Sequence, residues 1–264
     1  MNNKFSKICS ALKPGCVHVW VVKWNECISF LPQLIILLST QEHARASRLK
    51  FEEDRQQFII AHAVLRLLSA TYLKLKPEAI QFFCNKYGKP FFKLSACIDK
   101  QAIALQFNMS HSGQYVAYAF TLNRPVGIDI EYIKQSDSLI KIAERFFSAK
   151  EYAALSKLSG KSQVKAFYHC WARKEAFIKG KGKGLSHLLK KFDVNIHPDE
   201  SPRLINIEES GSEDVWSMYA VSVHEDYAGA LAVKGDVSRI DCRMLTLQCE
   251  SPRSKDLKLL LERC

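Results

Sequence analysis

Long apolar runs are missing from this sequence of 264 residues. The longest, Ile28 to Leu38, is interrupted by Ser29, Pro32 and Gln33, and it falls well short of the ~20 residues a membrane span requires. A membrane-spanning class is therefore excluded, and no membrane partner is expected. Met1 to Pro14 lacks the continuous apolar core of a secretory signal, because Lys4, Lys7 and Lys13 are spread through it. Paired cysteines are missing too. The nine cysteines are odd in number and scattered, without one C-x-x-C pair, a pattern that predicts reduced thiols in a cytoplasmic protein and speaks against a zinc knuckle.

Positive charge is what the chain has in excess: 38 Lys+Arg against 27 Asp+Glu, a formal net charge of +11. With 47% hydrophobic and 25% charged residues the balance is that of a globular protein rather than a charged tail. Such a surplus suits nucleic acid, a phosphorylated cofactor, an acidic protein or an anionic surface, and it equally serves plain solubility.

Periodicity predicts a strand over Val17 to Trp24, helices from Gln41 to about Leu75 stopped by Pro77, and a strand, turn and strand over Ala102 to Leu122. A second series follows the connector Asn123-Arg124-Pro125: a strand at Val126 to Ile133, helix over Leu139 to Leu158, a long helix over Gln163 to Lys179, and strands at Phe192 to Ile196 and Trp216 to Val233. Ser110-His111-Ser112-Gly113-Gln114-Tyr115 and Ser222-Val223-His224-Glu225-Asp226-Tyr227 lie at an offset of 112 residues. Strand and helix patterns of the two series follow at the same offset, so the chain reads as an α+β protein of two similar α/β halves, a pseudo-twofold repeat. The halves are residues 1–123 and 124–237, and 238–264 reads as a peripheral tail ending in a short helix.

Three segments could carry chemistry. In Val126-Gly127-Ile128-Asp129-Ile130-Glu131 a strand presents Asp129 and Glu131 on one face; two carboxylates so close suit a hard cation such as Mg²⁺, although a solvated acidic face has the same pattern. In Phe167 to Lys179, Glu175 and Lys179 stand one helical turn apart, as they would in an ordinary surface ion pair. The glycines and lysines from Gly180 to Gly184 then offer backbone N–H groups and ammoniums to an anion. In Asn108-Met109-Ser110-His111-Ser112, Ser110 and His111 point to opposite faces and make a poor nucleophile and base pair. Lys89, in the Tyr87-Gly88-Lys89-Pro90 turn, and Arg45, Arg48 and Arg55 are further cations.

Y-G-K-P, N-x-S-H-S, V-G-I-D-I-E, R-F-F-S-x-x-E-Y (Arg145 to Tyr152) and F-Y-x-x-W-x-x-K-E-A-x-x-K-x-x-G-K-G-L occur in series. In order and spacing they resemble the Sfp-type 4′-phosphopantetheinyl transferases, from about Gln41 to Val233. The resemblance implies a monomer with coenzyme A bound between the halves, and transfer of its 4′-phosphopantetheine to a serine of an acidic apo acyl or peptidyl carrier protein, releasing 3′,5′-ADP. It further implies Asp129, Glu131 and Glu175 as Mg²⁺ ligands, Glu175 and Lys179 as catalytic groups, and Arg48, Lys89, Ser110, His111 and Lys179 around coenzyme A. Gln56 and Gln57 stand near where several relatives carry a basic residue. A metal-dependent nuclease would place a lysine two residues beyond its second acid, whereas Lys134 stands three beyond Glu131, on the opposite strand face, so nucleic acid is not expected as partner. A non-catalytic coenzyme A or carrier-protein binding module is the remaining alternative; it would tolerate loss of an acid, and none is lost.

Overall fold

Alternating side chains make β1 (Cys16–Lys23), with Val17, Val19 and Val21 on one face and His18, Trp20 and Val22 on the other. In the computed structural model, which describes residues 9, 12–92, 105–184, 189–207, 215–249 and 257–262, the helices α1 (Leu31–Ile35), α2 (Thr40–Ala46) and α3 (Glu52–Leu73) follow. Ser39 and Glu42 close a capping box at the start of α2, which satisfies two of its unpaired N–H groups. The hairpin β2 (Phe82–Cys84) and β3 (Pro90–Phe92) precedes β4 (Leu105–Ser112) and β5 (Tyr115–Leu122); the predicted strand start at Ala102 lies outside the described residues. Asn123, at a φ of 59°, turns the chain into β6 (Val126–Tyr132). Then come α4 (Leu139–Phe146), α5 (Ala149–Ser156), α6 (Gly160–Lys181), β7 (Phe192–Val194), β8 (Leu204–Ile207), β9 (Trp216–Ala220) and β10 (Tyr227–Lys234).

With β11 (Arg239–Cys249) and β12 (Leu257–Glu262), the strands form a sheet in the order β12-β11-β1-β5-β4 and a second in the order β6-β10-β9. Val17, Val19, Ala117 and Ala119 of the first pack on Ile128, Ile130 and Leu231 of the second, all buried. The outer faces carry the long helices: α3 covers Trp20, Tyr118 and Phe120, and α6 covers Ala228, Ala230 and Ala232. The result is helix, sheet, sheet, helix, an α+β architecture with three apolar layers.

The two series of elements correspond, with small shifts. β5 and β10 are 112 residues apart, but Trp20 pairs with Tyr118 as Asp129 pairs with Ala230, which sets β1 and β6 at 109. Insertions between elements explain why one sequence offset described all of them only approximately. The predicted tail needs correction. Instead of a peripheral segment with a terminal helix, β11 (Arg239–Cys249) pairs in parallel with β1 from Cys16 through Val22, and β12 (Leu257–Glu262) pairs with β11. Ile240, Cys242, Met244 and Leu245 alternate like a strand with two packed faces, a pattern masked by the charges of Arg239, Asp241 and Arg243. Cys97 and Cys264 lie outside the described residues; Cys9, Cys16, Cys27, Cys84, Cys170 and Cys242 are thiols without a disulfide.

Candidate active site

Glycine decides how closely α6 approaches β6. A Cβ on Gly127 would overlap the carbonyl of Ala176 and the N–H of Gly180, so the helix lies directly on the strand only because both contact points lack side chains. This contact delivers Glu175 and Lys179 to the carboxylates of β6. Lys179 Nζ lies 2.5 Å from Asp129 Oδ1 and donates to Ser110 Oγ at 2.9 Å; Ser110 donates to the same Asp129 oxygen at 2.9 Å. Asp129 Oδ2 is buried with no hydrogen-bond partner among the described residues. Glu131 Oε2 accepts from Ser112 Oγ at 3.0 Å.

The electrostatics follow from crowding acids in a poorly solvated place. Burial and then the charge of Asp129 push Glu131 up to about 7, and the same two causes in the same order push Glu175 up to about 7. Asp129 is raised as well, by burial, against the opposing pull of Lys179 and Ser110. The three carboxylates thus sense one another, yet they do not offer ligand atoms all within 4.8 Å of one another, as the exposed His224, Glu225 and Asp226 do; Asp129 is instead paired with Lys179. Hard oxygen donors, mutual repulsion and one orphaned carboxylate oxygen fit a small divalent cation such as Mg²⁺.

Beyond Ser110 and Lys179, the two partners of Asp129, opens a cleft of about 810 Å³ walled by α2, α3, the β2–β3 hairpin and β4, with Lys179 on its wall. Ser110, His111 and Arg45 line it. The Arg45 guanidinium lies over the Phe58 ring at 5.3 Å, and Phe58 stacks on His62 at 3.8 Å. Burial lowers the pKa of His62 to about 4. His111 is also lowered, by desolvation and then by Lys179.

Asp129, Glu131, Glu175, Lys179, Ser110 and His111 are therefore brought together. Two predicted residues are placed differently. Arg48 is exposed and absent from the cleft wall; the turn of α2 aims Arg45 there instead. Lys89 donates to the carbonyls of Val126 at 3.0 Å and Gly180 at 2.7 Å, so it ties the hairpin to the strand and helix of the second half, and burial lowers it to about 8. Ser110, predicted near coenzyme A, spends its hydroxyl on Asp129. Gln57, which with Gln56 stands near the expected basic residue, donates to Gly113 O. Sequence reasoning missed Asn108, Ser112 and His62. The first two carried a signal, their two-residue spacing with Ser110 on one strand face; His62, on a helix with no motif around it, carried none.

Residues 125–232 match the family model described as the 4′-phosphopantetheinyl transferase superfamily, and residues 22–123 match that described as 4′-phosphopantetheinyl transferase, N-terminal. The 4′-phosphopantetheinyl transferase HetI of Nostoc sp. (strain PCC 7120) is 31% identical over 220 residues, which cover 83% of this chain and 88% of that protein. Sfp of Bacillus subtilis (strain 168) is 37% identical over 162 residues, 61% of this chain and 68% of that protein. A solved holo-(acyl-carrier-protein) synthase from Bacillus anthracis, in complex with CoA (3′,5′-ADP), superposes on 42% of this chain and 96% of its own with a TM-score of 0.35 and 23% identity.

Proposed function

The chain belongs to the 4′-phosphopantetheinyl transferase superfamily, and from that premise we propose how its residues divide the work of moving 4′-phosphopantetheine from coenzyme A to a serine of an apo carrier protein. The enzyme is a 4′-phosphopantetheinyl transferase. The reaction opens a phosphoanhydride with a hydroxyl, so negative charge grows on the bridging oxygen as 3′,5′-ADP leaves. One observation carries the assignment of roles: Lys179, on the cleft wall, is paired with Asp129, a buried acid with an unpartnered oxygen whose charge also raises Glu131 and Glu175.

Asp129, Glu131 and Glu175 would hold Mg²⁺, which supplies positive charge against the pyrophosphate. Lys179 reaches the cleft and neutralises charge on the leaving phosphate. Glu175, raised to about 7, has the proton affinity to take the proton of the carrier serine at neutral pH. His111 and Arg45 on the cleft wall receive the 3′-phosphate end of coenzyme A. Lys89 fixes the hairpin that closes the cleft, leaving one N–H for the ligand. The +11 charge favours an acidic carrier by steering its approach. Scattered cysteines without a C-x-x-C pair favour a reducing cytosol, and the family resemblance favours a monomer. The functional halves are 1–123 and 124–237, and β11 and β12 extend the sheet of the first beyond β1.

The test is mass-detected transfer to a panel of apo carriers with coenzyme A, in Mg²⁺ and in EDTA, for the wild type and for Asp129→Ala. Transfer in Mg²⁺ alone, lost in Asp129→Ala, is the expected result. Equal transfer by both proteins refutes the acidic site; coenzyme A binding without transfer to any carrier makes the protein a binding module.

A further inference from the structure

β4 is the last strand of the first sheet and β6 the first of the second. They run side by side, yet no backbone ladder joins them among the described residues. Side chains take its place. Asn108, Ser110 and Ser112 alternate along one face of β4, and each reaches β6 in turn. Asn108 Oδ1 accepts from Ile128 N at 2.9 Å, Ser110 Oγ donates to Asp129 Oδ1, and Ser112 Oγ donates to Glu131 Oε2 while accepting from Tyr132 N at 3.0 Å. The period of two on β4 thus meets the period of two that presents the acids on β6.

We propose that this side-chain ladder is the positioning device of the acidic site, and that Ser112 is the residue that holds Glu131 in place for a divalent cation. A serine hydroxyl has one proton and turns freely unless both its roles are taken. Here both are taken, the proton by Glu131 and a lone pair by Tyr132 N. The backbone beneath it is pinned as well: Gly113 O accepts from Trp24 Nε1 at 2.9 Å and Gln57 Nε2 at 3.1 Å, and Gln114 N donates to Tyr227 OH at 3.0 Å. Strands and helices of both halves therefore fix one hydroxyl. Glu131 needs such an anchor beside its other hydrogen-bond partner, Trp171, because the charge of Asp129 two residues away repels it and its side chain is only half-buried. The second half supplies the acids, and the first half sets their direction.

The inference rests on the reading of Asp129, Glu131 and Glu175 as a cation site, and its test separates the two. Mn²⁺ binding in the presence of coenzyme A is measured from the electron paramagnetic resonance signal of the free ion, for the wild type, Ser112→Ala, Ser112→Thr and Ser112→Val. Thr and Val have the same shape and differ by the hydroxyl. Residues that orient metal ligands typically contribute about 10–100-fold in affinity, so Ser112→Ala and Ser112→Val should bind Mn²⁺ at least about tenfold more weakly, and the Mg²⁺ concentration for half-maximal transfer should rise in step. Ser112→Thr should bind like the wild type. The KM for coenzyme A and the urea midpoint should hold nearly constant, which a loss of general structure would not allow. Equal Mn²⁺ affinity in Ser112→Val and Ser112→Thr overturns the role of Ser112. A wild type that binds no Mn²⁺, with or without coenzyme A, overturns the cation site itself.

Discussion

Glu175→Gln should make the metal-free protein more stable and the enzyme nearly inactive. Glu175 is 5% exposed on α6, and burial followed by the charges of Asp129 and Glu131 raises its carboxyl from 4.5 to about 7, against the pull of Lys179. A carboxyl whose folded pKa lies above its unfolded value binds more protons in the folded state. Its contribution to stability is complete below about pH 4.5 and is lost as pH rises through 7. Glutamine has the shape of the protonated acid and never ionises. The variant should therefore match the wild type below about pH 4.5, gain on it as pH rises from 4.5 to 7, and keep a constant margin above pH 7. A displacement of this size corresponds to about 3 kcal/mol as an upper bound, and the shared charge of the three acids brings the expected gain to about 1–3 kcal/mol. Urea unfolding in EDTA at pH 5 and pH 8 reads it directly. No gain at pH 8, or a gain as large at pH 5, would refute the reasoning. With coenzyme A, carrier and Mg²⁺, the same substitution should reduce transfer on the order of a thousandfold.

Gly127→Ala should cost at least about 2 kcal/mol in urea unfolding and abolish transfer, because the new Cβ overlaps the carbonyl of Ala176 and lifts α6 from β6; unchanged stability would mean the helix lies further off than described. Arg45→Ala should weaken coenzyme A about tenfold by calorimetry, the loss of a charge-assisted contact of roughly 1.5 kcal/mol, while binding of 3′-dephospho-coenzyme A stays the same; Arg48→Ala, at an exposed position off the cleft wall, should leave both ligands unaffected.

Much of this site was legible because its spacing is local. Asp129 and Glu131 share a strand face, Glu175 and Lys179 share a helix face, and each pair is fixed by one period. Their meeting was implied only by the family resemblance, since nothing in the chain states that Gly127 and Gly180 touch. The cleft cations were less legible. Arg45 and Arg48 stand three apart near the end of one short helix, where a single turn decides which faces the cleft, and Lys89 has an aliphatic stem long enough to reach either a ligand or the carbonyls of Val126 and Gly180. The strand β11 was missed for another reason: its pairing with β1 joins residues more than 200 positions apart, and its alternation is diluted by the charges of Arg239, Asp241 and Arg243.

The repeat shows where chemistry was admitted and where it was refused. Strand register equates Trp20 and Val22 of β1 with Asp129 and Glu131 of β6, and His18 with Gly127. The two long helices, 22 residues each, both end on a left-handed residue, Lys74 and Gly182, an alignment that equates Tyr72 with Gly180. In the first half these positions are filled by bulk: His18 Nδ1 and Trp20 Nε1 both meet Tyr72 OH at 2.8 Å, and burial keeps His18 neutral at a pKa of about 4. In the second half the same two contact points are glycines, the helix drops onto the strand, and the space that Trp20 would occupy belongs to Asp129 and Lys179. Buried like charges are costly unless a partner compensates them, so a repeat that kept acids in both halves would carry that cost twice for one ligand. One half is instead an apolar buttress that supplies Ser110 and Ser112 across the seam, and the other holds the acids they bond.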